Sequence, residues 1–261
     1  MLDRQAGARA FRHGQLAPSG ALAPFVAHYW SVRWELEGRP PFTSSVLSHP
    51  AVHVAFQEGA SGLFGVVRGR FTRTLEGRGR VFGVKFHPGA FRPFIPFPVA
   101  ELTDRVRPLS ALPGLEGEAA AALEAAVLAE EEDAGRAALV ERWLLAHLPP
   151  PDPEAARARR LVERILREPA LTRVEALVAT EPGLSLRSLQ RLFREYVGVP
   201  PKWVLRRARL HEAAERLEGG AGGSLAALAV ELGYFDQAHF TREFTAVVGR
   251  PPSAYARGAR R

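Results

Sequence analysis

The chain has 261 residues, enough for two domains with a core each, and its hydrophobic fraction of 46% is ordinary for a globular protein. It contains no cysteine, which excludes disulfides, cysteine-ligated zinc fingers, thiol redox sensing and cysteine nucleophiles. The net charge of +7 is uneven: residues 1–154 hold 16 basic and 17 acidic residues, residues 155–261 hold 19 and 11, so the halves stand at −1 and +8.

A basic half of this kind is the footprint of a module that binds a polyanion, although charge alone equally fits a solvated basic surface. Lys85 and Lys202 are the only lysines, so the positive charge is almost all arginine. No apolar run is long enough to span a bilayer, and MLDRQAGARAFRHGQ has no apolar targeting core. A cytoplasmic protein without membrane contact is expected.

Residues 1–20 lack periodicity and read as a lead-in. From 21 to about 110 the pattern is short and β-like, in PFVAHYWSVRWEL, VHVAF, GLFGVVRGRF and RVFGVKF, punctuated by glycine and proline. Closely spaced short strands predict a small barrel or sandwich. Pro93, Pro96 and Pro98 then exclude a continuous helix or a central strand. That stretch is expected to lie across the strands as an ordered loop anchored by Phe91, Phe94, Ile95 and Phe97. Between Glu116 and Leu148 the period becomes helical, with Leu123, Val127 and Leu128 on one face and Leu139, Val140, Trp143 and Leu144 on another. Asp133-Ala-Gly is the expected break between them. Four prolines within residues 149–153 make a stiff linker. The predicted organisation is a β-rich domain over 1–148, this linker, and a helical domain over 154–261.

Beyond the linker every segment reads as helix. Residues 154–167 form an arginine-rich amphipathic helix with Leu161, Val162, Ile165 and Leu166 inward. A short helix follows over about 172–180, ending near Pro182-Gly183. Ser185 caps the next, whose buried side is Leu189, Leu192, Phe193 and Tyr196. Pro201 suits the first turn of a long helix that runs to the glycines around 219–223. Ser224 caps LAALAVEL, Gly233 turns the chain, and Asp236 caps a last long helix before Pro251-Pro252 and Tyr255.

Within this half one pattern occurs twice. SLRSLQRLFREYVGVPP, from Ser185 to Pro201, aligns without a gap on DQAHFTREFTAVVGRPP, from Asp236 to Pro252, at an offset of 51 residues. Leu189 matches Phe240, Arg191 matches Arg242, Phe193 matches Phe244 and Gly198 matches Gly249. Each copy is a short helix, a turn and a longer helix with polar residues early on its exposed face, the helix-turn-helix arrangement in which the second helix enters the major groove. The expected DNA-contacting residues are Arg187, Ser188, Gln190, Arg191 and Arg194 in the first copy, and Gln237, Ala238, His239, Thr241 and Arg242 in the second. Arginine pairs bidentately with guanine and glutamine with adenine, while alanine and threonine pack on a thymine methyl. The connecting helix, Pro201 to Glu218, spans about 27 Å, close to the roughly 34 Å turn of B-DNA once the modules at its ends are added.

Residues from about 158 to 257 resemble the DNA-binding domain of the AraC/XylS family of bacterial transcription regulators. GYFDQAHFTREFTAVVGRPPSAY carries the resemblance, through Gly233, Tyr234, Asp236-Gln237, Phe240, Arg242, Phe244, Gly249, Pro252 and Tyr255. It departs from the pattern at Pro182, Phe235, Thr245 and Ala256. The likeness implies two helix-turn-helix modules on a linker helix, double-stranded promoter DNA as partner, and RNA polymerase as a second partner if the protein is an activator. Val81 to Leu109, and PFVAHYW more weakly, resemble an uncharacterised β-rich domain found ahead of such modules. By analogy it is cupin-like, senses a small-molecule effector, or forms a homodimer through the helices of 116–148.

His49, His53 and His87 raise a metal reading, but the close His-x-His with a following glutamate is missing, so no metal or other cofactor is expected. No nucleophile–base set, phosphate-cradling glycine loop or paired carboxylates suggest an enzyme. The alternatives are a metal-dependent cupin-like enzyme with a DNA-binding appendage, and a helical protein–protein adaptor.

Overall fold

The computed structural model describes residues 7, 10–168, 171–220 and 224–259. Part of the expected lead-in (1–6, 8 and 9), residues 169 and 170, the middle of the glycine stretch (221–223) and the last two residues (260 and 261) lie outside the described residues.

The N-terminal half is an antiparallel two-sheet structure. Its strands are β1 (Phe11–Leu16), β2 (Val26–Glu35), β3 (Phe42–Leu47), β4 (His53–Phe56), β5 (Gly62–Phe64), β6 (Arg70–Leu75), β7 (Arg78–Phe86) and β8 (Val106–Arg107). Six of them form one sheet in the order β1-β2-β7-β4-β5-β8, and β3 pairs with β6 alone. The sheets do not close on each other, so of the two expected architectures the fold is sandwich-like and not a barrel.

The alternation of side chains along each strand decides which face is inside. Phe82, Val84 and Phe86 of β7, Val54 and Phe56 of β4, and Val26 and Tyr29 of β2 point into one core. The proline-rich stretch closes this core from one side. It is a run of tight turns, Arg92–Phe94 and Val99–Leu102, ending in β8. Phe91, Phe94 and Ile95 are buried, while Phe97 is half-buried beneath the Arg107 guanidinium, 4.2 Å from its ring centre.

Helices α1 (Glu118–Ala129) and α2 (Asp133–Ala146) cover the same core through Val127, Val140 and Leu144. Two expectations need correction here. Phe11–Leu16 is a strand and not part of a lead-in, because all six residues pair with Tyr29–Trp34 of β2. Asp133 starts α2 and does not break it. Its carboxylate is held by Ser31 Oγ at 2.5 Å and Arg33 Nη2 at 2.8 Å, both from β2, and the break falls earlier, at 130–132.

The C-terminal half is all helix. Asp152 caps α3 (Pro153–Arg167) by accepting the Glu154 and Ala155 amides, and Tyr196 Oη donates to its second oxygen at 2.9 Å. Ahead lie α4 (Val174–Ala179), α5 (Leu186–Leu192) with a widened turn at Phe193–Val197, α6 (Pro201–Glu218), α7 (Leu225–Glu231), α8 (Gln237–Val248) and α9 (Pro252–Ala259). They build two separate cores, one around Leu189, Phe193 and Val204, the other around Leu210, Phe240, Phe244 and Tyr255. The sandwich lends one side chain to each: Val66 to the first and Leu47 to the second. Among the described residues no helix is long and apolar enough to cross a membrane.

Candidate nucleic-acid interface

The 51-residue repeat is reproduced in three dimensions down to its caps. Ser185 begins α5 by accepting the Ser188 amide, and Asp236 begins α8 by accepting the His239 amide at 2.6 Å. Both helices stop at a glycine in the left-handed region, Gly198 with φ 88° and Gly249 with φ 85°, where any other residue would be strained. Pro201 and Pro252 then restart the chain as the first residues of α6 and α9. Leu189 and Phe240 are fully buried at one repeat position, Phe193 and Phe244 at another. The inward faces of α5 and α8 are therefore fixed, which determines what faces outward.

Outward lie Arg187, Gln190, Arg191 and Arg194 on α5 and its continuation, and Gln237, Ala238, His239 and Arg242 on α8, all exposed. Ser188 and Thr241 are half-buried. Ser188 is also occupied, since its hydroxyl accepts the Ser185 amide at 2.8 Å as the second half of a capping box. His239 is partly committed: its ring stands edge-on to Tyr234, and its Nε2 is 3.8 Å from Glu243.

The arginines divide into two kinds. Those on the flanking helices are paired, Arg159 and Arg167 with Glu163, Arg164 with Glu168, and Arg216 with Glu212 and Glu231. Arg187, Arg191, Arg194 and Arg242 make no ion pair or hydrogen bond among the described residues. Guanidinium groups without internal partners, carried at repeated positions on helices locked from behind, are suited to phosphate oxygens and guanine edges.

Sequence reasoning missed Glu243. It occupies the repeat position of Leu192 and is equally buried, but it accepts hydrogen bonds from Tyr234 Oη at 3.0 Å and Arg206 Nε at 3.1 Å. It ties α8 to the linker helix α6 by charge where α5 uses an apolar contact. The signal was present in the sequence, as a carboxylate at an inward-facing repeat position.

Reasoning from sequence also missed the way the sandwich grips this domain. Residues 66–70 touch all three of its parts. Val66 enters the first module's core, the Arg68 and Gly69 carbonyls accept the guanidinium of Arg207 on α6, and Arg70 Nη1 donates to the Val248 carbonyl at the end of α8, 3.2 Å away. Thr103, on the neighbouring loop, donates at 2.7 Å to the Gly198 carbonyl at the corresponding end of the first module. Arg92 reaches Glu195 at 2.5 Å. Arg207 is 2% exposed, lies over Trp203 and has no carboxylate partner among the described residues, so burial lowers its pKa to about 10. The three histidines considered for a metal do not converge. His49 stacks on His211 of α6, His53 Nδ1 accepts the Trp30 indole N–H, and His87 faces Arg159 and Glu163. Among the described residues no three potential ligands gather around a common point.

Two family models match parts of the chain. Residues 178–258 match the model of a family described as a helix-turn-helix domain, and residues 14–108 match a domain of unknown function, DUF6597. No curated protein matches. Among solved structures the chain is similar to apo ToxT from Vibrio cholerae strain SCE256, with 9% identity over 96% of this chain and 94% of that one and a TM-score of 0.40. It is also similar to ToxT from Vibrio cholerae O395 bound to (E)-4-(8-methylnaphthalen-1-yl)but-3-enoic acid, with 10% identity over 96% and 99% and a TM-score of 0.40.

Proposed function

We propose, for a chain that joins an AraC-type helix-turn-helix domain to a β-rich domain of unknown function, that it is a sequence-specific transcription regulator and not an enzyme. In this reading α5 and α8 enter successive major-groove segments of promoter DNA. The observation that carries it is the pair of repeated helices with locked inner faces and unpaired outer arginines. The linker helix between them has 18 residues, about 27 Å, which suits two modules one turn of duplex apart. Arg187, Gln190, Arg191, Arg194, Gln237, Ala238, His239, Thr241 and Arg242 contact DNA, and Ser188 contributes mainly by fixing the start of α5. The outward side chains of the two helices differ, so the halves of the site within one protomer differ too.

The sandwich is the regulatory input, through the loop of residues 66–70 and its neighbour. A small-molecule effector would have to open the apolar layer between the main sheet and α1–α2, which Phe56, Val84, Leu123, Val140 and Trp143 pack closed. That layer is lined by apolar side chains, so the effector best suited to it is apolar. A homodimer is the other form of input.

A gel shift of the full-length protein on its own upstream DNA, over a salt series, tests this. Specific binding that falls steeply with salt is expected. Binding without sequence preference and without salt dependence would overturn the reading.

A further inference from the structure

The most exposed large apolar side chain among the described residues is Phe235, at 91%. Its counterpart in the first repeat copy, Leu184, is 8% exposed and part of that module's core. The exposure is built into the backbone on both sides. Before it, Gly233 turns the chain with φ 74°, and Tyr234 takes the buried place, packing on Phe240 and donating to Glu243. After it, Asp236 is fixed as the cap of α8. With the inward position filled by tyrosine and the next residue locked as a cap, the phenyl ring has no route into the core.

Phe235 immediately precedes the cap of α8, and Gln237, Ala238 and His239, which follow that cap, are exposed as it is. This is the end of the helix that meets base edges when such a module docks. A duplex docked on those three residues meets the chain two to four residues from Phe235. The groove floor is polar except where a thymine presents its 5-methyl group, and apolar side chains recognise thymine by that contact. A ring on an already ordered backbone loses little conformational freedom on docking.

We infer that Phe235 is a specificity-determining residue that packs on a thymine methyl in the half of the site read by α8. The inference rests on the DNA-binding reading above and adds a base to it. The side chains first expected to read DNA are polar or small, and this one discriminates by shape and apolar contact alone.

The test is a coupling measurement. Full-length protein selects a consensus from a pool of random duplexes, and that duplex is remade with each thymine in turn replaced by deoxyuridine, which removes only the methyl. For the wild type, one substitution in the α8 half should weaken binding about fourfold, the worth of one buried methyl group. With Phe235→Ala the same substitution should cost less than about 1.5-fold, and Phe235→Leu should fall between. Deoxyuridine penalties that are the same for wild type and Phe235→Ala would overturn the inference, whatever the variant's overall affinity. Unchanged DNA affinity with lost transcriptional output would overturn it too, and would turn Phe235 toward a protein. If no consensus emerges, the DNA-binding reading itself fails. A consensus with unaltered penalties sinks only the role of Phe235.

Discussion

Acid should loosen the contact between the sandwich and the linker helix at His211. The His211 ring lies parallel to His49, with centroids 4.0 Å apart and planes 7° apart, and its Nε2 is 3.5 Å from the Ser48 carbonyl. Burial is the main reason that its pKa falls to about 4. The Ser48 carbonyl opposes the fall, and the Arg207 and Lys85 cations add to it. In the unfolded chain the same ring titrates near 6.5. The folded ring therefore stays neutral where the unfolded one takes up a proton. This stability is complete above pH 6.5 and is lost as the pH falls from 6.5 toward 4. At pH 5 the difference amounts to about 2 kcal/mol, and solvent on the open part of the ring brings it toward about 1 kcal/mol. Urea unfolding at pH 7.5 and pH 5.0, of the wild type and of His211→Gln, isolates the contribution. Glutamine keeps a donor for Ser48 and does not titrate. The pushed-down His28 and His53, near pKa 4 and 3, act in both proteins and cancel, and His49, near 2 chiefly through burial, keeps most of its shift when its stacking partner becomes glutamine. The wild type's advantage over His211→Gln should shrink by about 1–2 kcal/mol on acidification. An advantage that does not change with pH would refute the argument.

Arg191→Ala and Arg242→Ala should each cost about 1–3 kcal/mol of DNA affinity and relax base preference in different halves of the footprint. Uniform weakening on every sequence, measured by repeating the selection with each variant, would make these arginines phosphate contacts only. Glu243→Ala should lower unfolding free energy by about 2–4 kcal/mol in urea, because Tyr234 Oη is left buried without its acceptor and Arg206 loses its partner. Gly249→Ala should cost about 1–2 kcal/mol by the same measure, since it strains a left-handed residue and sets a methyl against Arg70 Nη1. Gly219→Ala, at φ −71° with nothing nearer than 3.4 Å, is the control and should be neutral or slightly stabilising.

The parts that could be read from the sequence were those whose causes are local. Caps, stops and inward stripes of the two modules lie within a few residues of what they control, so Ser185, Asp236, Gly198 and Gly249 announce the repeat. What escaped was set by distant neighbours. FRHGQL has no apolar run and becomes a strand because β2 offers it a full edge. Asp133 looks like a helix breaker until Ser31 and Arg33, about 100 residues earlier, take its carboxylate. Nothing near Arg207 and His211 in the sequence marks them as inward, and it is the sandwich lying on that face of α6 that covers them. At Ser188 the unseen cause is local. Ser185, three residues earlier, engages its hydroxyl in a reciprocal cap.

The grip of the sandwich follows from one strained residue. Asp104 is the only non-glycine among the described residues with positive φ, at 57°, and such strain persists only when surrounding bonds hold it. Its amide donates to the Val66 carbonyl, and its carboxylate accepts the backbone amide of Arg68 at 2.7 Å and the Arg68 side chain at 2.5 Å. That fixes the Arg68 carbonyl which receives Arg207, and it sets Thr103, the preceding residue, against Gly198. Two loops from different parts of the sandwich are thus tied into one body that holds the linker helix and the far ends of α5 and α8. A shift in either loop would reach the far ends of α5 and α8 in one movement, through the hydrogen bonds of Arg70 and Thr103 and, at Val66, through the first module's core. The link is a handful of hydrogen bonds, of the size that lets coupling energies of about 1–3 kcal/mol decide between states. If α5 and α8 hold DNA as proposed, the sandwich needs no larger device to influence that hold.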